Sequence, residues 1–223
     1  MNKSLSGLLA VAVALALLVI GPGQMPVRAQ AKTATIALYA DAVTLDPFDS
    51  NDNLSLSVER TVYDGLVGFT PDMKLKPQLA ASWEASPDAR VFTFHLRRGV
   101  KFHDGTAFNA EAVKINFDRV RDPAQKLRRY SLYEMIDSIT VLDEATVRFT
   151  LRKPFGAMLY NFAHPAGRII SPAAIAIGGA YVARNPVGTG PFKFVSWSSG
   201  REIVLDRNSD FWEAGQPHVD RIV

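Results

Sequence analysis

Catalysis needs reactive side chains at workable spacing, and the 223 residues of this chain offer few of them. There is no cysteine. That removes thiol nucleophiles, thiolate zinc sites, iron–sulfur clusters, disulfides and a lipid-modified cysteine. The four histidines, His95, His103, His164 and His218, are scattered without the paired spacing of ligands, so no metal is expected. His95 alternates with core positions and His103 precedes a turn, so both read as structural. There is no G-x-S-x-G elbow, Walker A loop or H-E-x-x-H helix. Gly188-Thr-Gly190 is followed by Pro191, and no helix opens there to present N–H groups to a phosphate. Trp83, Phe92, Phe94 and Phe102 could stack on a ligand, but their strand-like alternation assigns them to a core. No enzyme motif survives, and no cofactor is expected.

The elements around these residues read as an α/β mixture. With 48% hydrophobic and 21% charged residues, the composition is that of a globular chain, which excludes collagen-like, coiled-coil and disordered classes. At the start, Lys3 precedes an unbroken apolar run, Leu8 to Ile20, which Gly21-Pro22-Gly23 ends; Val27-Arg28-Ala29 then offers a cleavage site before Gln30. Residues 1–29 are predicted to be a secretory signal peptide, too short in apolar length to anchor in a bilayer. Removing Lys3 and Arg28 lowers the net charge from +3 to +1, which gives no electrostatic case for nucleic acid. Thr35–Tyr39 reads as a strand. Leu54, Val58, Val62 and Leu66 mark one stripe of a helix capped by the Asp/Asn pair at 52–53. Val91–Leu96 alternates as a strand and Asp104-Gly105 is a turn. Asn109 caps a helix that buries Val113, Phe117 and Val120 and stops before Asp122-Pro123. Residues 139–142 and 146–151 form a hairpin, 155–162 and 172–177 are helical, and 185–191 is a rigid, turn-rich linker. Phe192–Trp197 and Ile203–Asp206 pair around Ser198-Ser199-Gly200.

Several stretches resemble a known family. Leu79-Ala-Ala-Ser-Trp83-Glu, Phe92-Thr-Phe-His-Leu-Arg-Arg98-Gly-Val-Lys-Phe-His-Asp104-Gly and Asn109-Ala-Glu-Ala-Val113 are similar to the signature region of the family 5 solute-binding proteins. These are peptide, nickel and opine receptors of ABC importers. Asn185-Pro-Val-Gly-Thr-Gly-Pro-Phe192 and Arg207-Asn-Ser-Asp-Phe-Trp212 match the same family further along. Residues 44–55, 122–133 and 163–172 look most like its glutathione-binding branch. Members are more than twice this length, and the family pattern runs past Asp220–Val223 into a further strand, so an N-terminal fragment is expected.

The resemblance implies a periplasmic binding protein-like clamshell, an α/β fold of two lobes closing by hinge motion on a ligand. Residues 30–53 and 185–223 would belong to lobe I and 54–184 to an inserted α/β subdomain, with the second lobe absent. The implied protein is a periplasmic monomer that captures a short peptide, glutathione or a di- or oligopeptide, and hands it to a membrane permease and its ATPase subunits. A nickel-chelate or other solute receptor of the family, a secreted peptide hydrolase and a chaperone-like binder are the alternatives. In the family the loop after the first strand lends main-chain groups to the bound peptide; here that loop is Asp41, Ala42 and Val43. Asp41 could equally be a solvated turn acid. Some relatives place an arginine near a ligand carboxylate where Arg168 stands, whereas the glutathione-binding pattern carries a small residue there. A surface arginine is the competing reading. With one lobe, a ligand keeps one face in water, so these residues alone are expected to bind near 1 mM if an intact receptor binds near about 1 μM.

Overall fold

A computed structural model describes residues 31–223; the signal-peptide expectation for 1–29 lies outside the described residues. In chain order the elements are β1 (Thr33–Ala34), α1 (Asn53–Val62), β2 (Val67–Phe69), β3 (Leu75–Pro77), β4 (Ala80–Ala85), β5 (Val91–Leu96) and α2 (Ala110–Arg121). They continue through α3 (Tyr130–Tyr133), β6 (Ile136–Asp143), β7 (Thr146–Leu151), α4 (Met158–Ala163), α5 (Pro172–Ile177), α6 (Gly179–Val182), β8 (Phe192–Ser198), β9 (Glu202–Arg207) and β10 (Arg221–Ile222).

Three sheets result. One is the antiparallel run β4-β5-β7-β6, and β2 pairs β3 separately. The third has the order β1-β10-β9-β8, so it joins the start of the described chain to the segment from Phe192 onward. Within it β1 runs parallel to β10, while the β8–β9 hairpin is antiparallel, with Phe194 opposite Leu205. All belong to one compact unit, Ala31–Val223.

The core forms where periodicity places apolar side chains on one face. Strand β5 buries Phe92, Phe94 and Leu96 on alternate positions. Helix α2 starts at Asn109, whose side chain accepts from the Ala112 N–H at 2.9 Å, and it buries Val113, Phe117 and Val120. Sheet and helix meet in a cluster of rings. Phe162 lies 4.7 Å from Phe149 and 5.0 Å from Phe94, and Phe117 lies 5.1 Å from Phe149. Removing one such ring costs about 3–5 kcal/mol. Phe102 is buried with them and Trp83 packs at their margin, as core assignment predicts.

The segments that carried the family resemblance lock to one another. The His103 ring accepts from the Gly188 N–H at Nδ1 (3.3 Å) and contacts the Gly190 carbonyl from Nε2 (2.9 Å). Nε2 must therefore carry the proton. Burial, opposed by the Gly190 hydrogen bond, pulls this histidine down to about 4, so it is neutral. Asn208 donates to the same Gly190 carbonyl at 3.0 Å, and the Gly190 N–H donates to the Val62 carbonyl at 2.9 Å. A Cβ on Gly188 or Gly190 would fall 2.2 or 2.6 Å from Val62 backbone atoms, so this close approach requires glycine. The segment 185–191, read from the sequence as a rigid linker, is packed against the end of α1.

Two sequence expectations change. The strand expected over 35–39 is displaced: β1 is Thr33–Ala34, paired with Arg221 and Ile222, and beyond it the Ile36 N–H donates to the Val223 carbonyl at 2.8 Å. Ile36 and Tyr39 are left 56% and 89% exposed. Helix α1 ends at Val62, so Leu66 packs in the core from beyond the helix. The buried face of α1 includes Ser55 and Glu59 beside Val58 and Val62, polar residues that the apolar stripe did not anticipate.

Candidate functional site

The loop Asp41-Ala42-Val43 is held from both sides. Asp41 faces the β8–β9 hairpin and accepts from Trp197 Nε1 (3.0 Å), Ser199 Oγ (2.7 Å) and the Gly200 N–H (2.7 Å), besides the next N–H at Ala42 (3.0 Å). The Ser199 hydroxyl above all, with the Gly200 and Trp197 donors, holds its carboxyl below the usual range. Both of its oxygens accept from the hairpin, so Asp41 latches the loop to it from a position that solvent still reaches. On the other side, Ser55 Oγ accepts from the N–H groups of Val43 (3.0 Å) and Thr44 (3.3 Å). Ser55 in turn donates to Asp52 Oδ2 at 2.7 Å, while Asp52 Oδ1 caps α1 through the Ser55 N–H at 2.8 Å. The N–H groups of residues 42–44 are therefore all engaged. Among the described residues no donor reaches the Ala42 or Val43 carbonyl, so the loop can offer a ligand acceptors only.

The loop separates two recesses, each of about 580 Å³, within the size range of small-molecule sites. One is apolar, lined by Ile36, Leu38, Ala42, Val58 and Leu205 among others. The other is charged: Val43, Asn51 and Asp52 line it together with Asp49, Arg128 and Arg184. Arg128 reaches Asp49 at 3.6 Å, and Arg184 lies over the Trp197 ring with its guanidinium carbon 3.9 Å from the centroid.

Arg168 lines neither recess. Its backbone bridges Gly65, and its guanidinium donates to the Tyr63 carbonyl, with Nε buried and unpartnered. Burial, opposed by the nearby carboxylates of Asp64 and Glu59, lowers it to about 10. It is therefore a half-buried arginine tied to the backbone of Tyr63. Glu59 accepts from Ser50 Oγ at 3.1 Å, and desolvation pushes it up to about 8, so it is mostly a neutral acid at pH 7. Asp64, raised by burial, accepts from Thr189 Oγ1 (3.0 Å) and Trp212 Nε1 (2.9 Å). Beneath the loop, Asp46 and Arg119 form a two-bond ion pair with side chains 2% and 8% exposed. Among the described residues no three His, Asp or Glu side chains converge as a metal site.

Spacing did not reveal Arg184, Trp197 and Arg128. The only local signal was the alternation placing Trp197 in a strand; its meeting with Asp41 joins residues 156 positions apart.

Residues 74–223 match the bacterial extracellular solute-binding proteins, family 5 middle region. The glutathione-binding protein GsiB of Pectobacterium atrosepticum is 47% identical over 192 residues, which cover 86% of this chain and 37% of that protein. Among solved structures, AgaA of A. tumefaciens R10 in complex with agropinic acid superposes with a TM-score of 0.81 at 37% identity, covering 85% of this chain and 38% of that one. The periplasmic binding protein DppA of Helicobacter pylori, in complex with the peptide STSA, gives 0.77 at 33% identity, covering 86% and 42%. The chain thus spans well under half the length of the relatives it matches.

Proposed function

Because the chain belongs to family 5 of the bacterial extracellular solute-binding proteins, we propose that it serves as part of a periplasmic receptor for a short peptide. Glutathione is the first candidate, delivered to the permease and ATPase subunits of an ABC importer. The 47% identity to a glutathione-binding protein across 86% of the chain carries this reading. In it the protein is a monomer that binds rather than transforms its ligand, and residues 1–29 direct export. Residues 30–53 and 185–223 form one lobe and 54–184 an inserted subdomain. The partition is supported by the sheet β1-β10-β9-β8, which draws on both ends of the described chain, and by β4-β5-β7-β6, which lies wholly inside the insert.

The contact surface in this reading is the 41–43 loop with its charged recess. The Val43 carbonyl receives a ligand N–H group beside Ala42, and Asp41 and Arg168 act as supports behind them. A thermal-shift panel of glutathione, di- and tripeptides, sugars, agropinic acid and nickel salts tests it. A ligand at about ten times its dissociation constant stabilises by about 1.4 kcal/mol, a rise of roughly 3–6 °C for a domain of this size. Glutathione or a peptide should produce that rise. A rise with sugars or bare nickel and none with peptides would overturn the assignment.

A further inference from the structure

Two arginines in this fold place the guanidinium carbon over a tryptophan ring whose indole N–H is held by an aspartate. Arg97 stacks on Trp212 at 4.7 Å from the centroid, and Trp212 donates to Asp64. Arg184 stacks on Trp197 at 3.9 Å, and Trp197 donates to Asp41. The two stacks differ in what the guanidinium edge does. Arg97 spends Nε on the Gln78 carbonyl at 2.5 Å, so that arginine is bound into the fold. Among the described residues Arg184 has no carboxylate within 4 Å and no acceptor for its side-chain N–H groups.

Stacking uses the face of a guanidinium and leaves its five coplanar donors free, and a carboxylate matches two of them at once. Arg184 stands on the charged recess beside Arg128, whose one acidic partner, Asp49, lies 3.6 Å away, beyond a tight charge-assisted hydrogen bond. The donors of these two cations are therefore unspent on the same recess. The loop at its edge has its N–H groups engaged, and the exposed Val43 has no donor on its carbonyl among the described residues. Such a surface takes a ligand with carboxylates at one end and N–H donors at another.

We propose that Arg184, held on Trp197 by the Asp41 latch, is the residue that recognises a carboxylate of the peptide ligand, with Arg128 beside it. Asp41 and Trp197 are then positioning residues. The inference rests on the peptide-receptor reading above and specifies the group that reads the ligand's charge. It accounts for two aspects of Asp41: both oxygens face the hairpin, and its partner Trp197 lies under the unpaired arginine.

The test is a titration followed by the Trp197 indole N–H resonance, assigned by its absence in Trp197→Phe. The full chain, Arg184→Ala, Arg184→Lys and Asp41→Asn are each titrated with glutathione, with its dimethyl ester, and with acetate. A charge-assisted contact predicts that Arg184→Ala weakens glutathione by about 10- to 100-fold. The same variant should leave the ester unchanged and so lose the acid-over-ester preference. Arg184→Lys should recover part of it, and Asp41→Asn should reduce that preference without abolishing ester binding. Equal affinity and equal preference in wild type and Arg184→Ala would overturn the proposal, as would a wild-type chain that binds acid and ester alike. Acetate matching glutathione at equal concentration would show a generic anion site and overturn the peptide assignment of this arginine. A wild-type chain that ignores both acid and ester overturns the peptide reading itself. A loss of ester binding together with acid binding in Arg184→Ala would mark a folding role and count against recognition.

Discussion

Replacing Arg119 with methionine should destabilise the protein severely, because it strands the carboxylate of Asp46 in the interior. The two side chains are 8% and 2% exposed and share two hydrogen bonds, one of 3.2 Å between Nη1 and Oδ1. Asp46 also accepts from the Phe48 N–H at 3.1 Å, so it cannot turn toward water without breaking the loop that follows residue 43. Removing one partner of such a pair costs about 3–5 kcal/mol, most of it the desolvation of the ion left behind. For a domain of this size that lowers the melting temperature by roughly 6–20 °C. Asp46→Asn should cost a comparable amount, since it leaves the guanidinium unpaired. The double variant should cost clearly less than the sum, with a coupling of about 2 kcal/mol or more. Urea unfolding followed by tryptophan fluorescence measures all three. Losses under about 1 kcal/mol for Arg119→Met, or strict additivity in the double variant, would refute the reasoning.

Gly190→Ala should cost at least about 2 kcal/mol, because its Cβ would press on Val62 and Thr61 backbone atoms at 2.6–2.9 Å. Gly200→Ala meets nothing within 4 Å and pays only for its φ of +71°, about 1–2 kcal/mol, as denaturant midpoints should show. Glu59 is raised in the fold from 4.5 to about 8, so its contribution is fully present below pH 4.5 and is lost as pH rises toward 8. At about 1.4 kcal/mol per pH unit the loss approaches roughly 5 kcal/mol, and Glu59→Gln should flatten the pH profile of stability across that window. His103 acts in the opposite direction. Lowered from 6.5 to about 4, it contributes stability above pH 6.5 that disappears as pH falls through 4, and unfolding midpoints between pH 6.5 and 4 should track it.

Local signals read most of the framework correctly. Asn109 as a cap, the stop at Asp122-Pro123, the alternation of β5 and both hairpins follow from neighbours within a few residues, and the structure has them. The strand expected over 35–39 was misplaced because a short apolar run states which residues could pair, not where in the chain the partner strand lies; the pairing falls on Thr33–Ala34. Glu59 was invisible for a related reason: an acid at a helical position reads as solvent-facing unless Ser50, Arg168 and Asp46 are known to surround it. The resemblance pointed to the 41–43 loop but not to the bonds that its side chains make. The bonds from Asp41 to Trp197 and from Arg168 to Tyr63 span 156 and 105 residues, and no window of sequence contains either.

The central claim, that this surface receives a peptide, is tested most directly by saturation-transfer NMR on glutathione at millimolar concentration with the unlabelled chain. The account predicts transfer to the glutathione protons that excess unlabelled dipeptide or tripeptide displaces and sucrose does not. No transfer to glutathione or to any short peptide, under conditions where agropinic acid or a sugar shows it, would contradict the account.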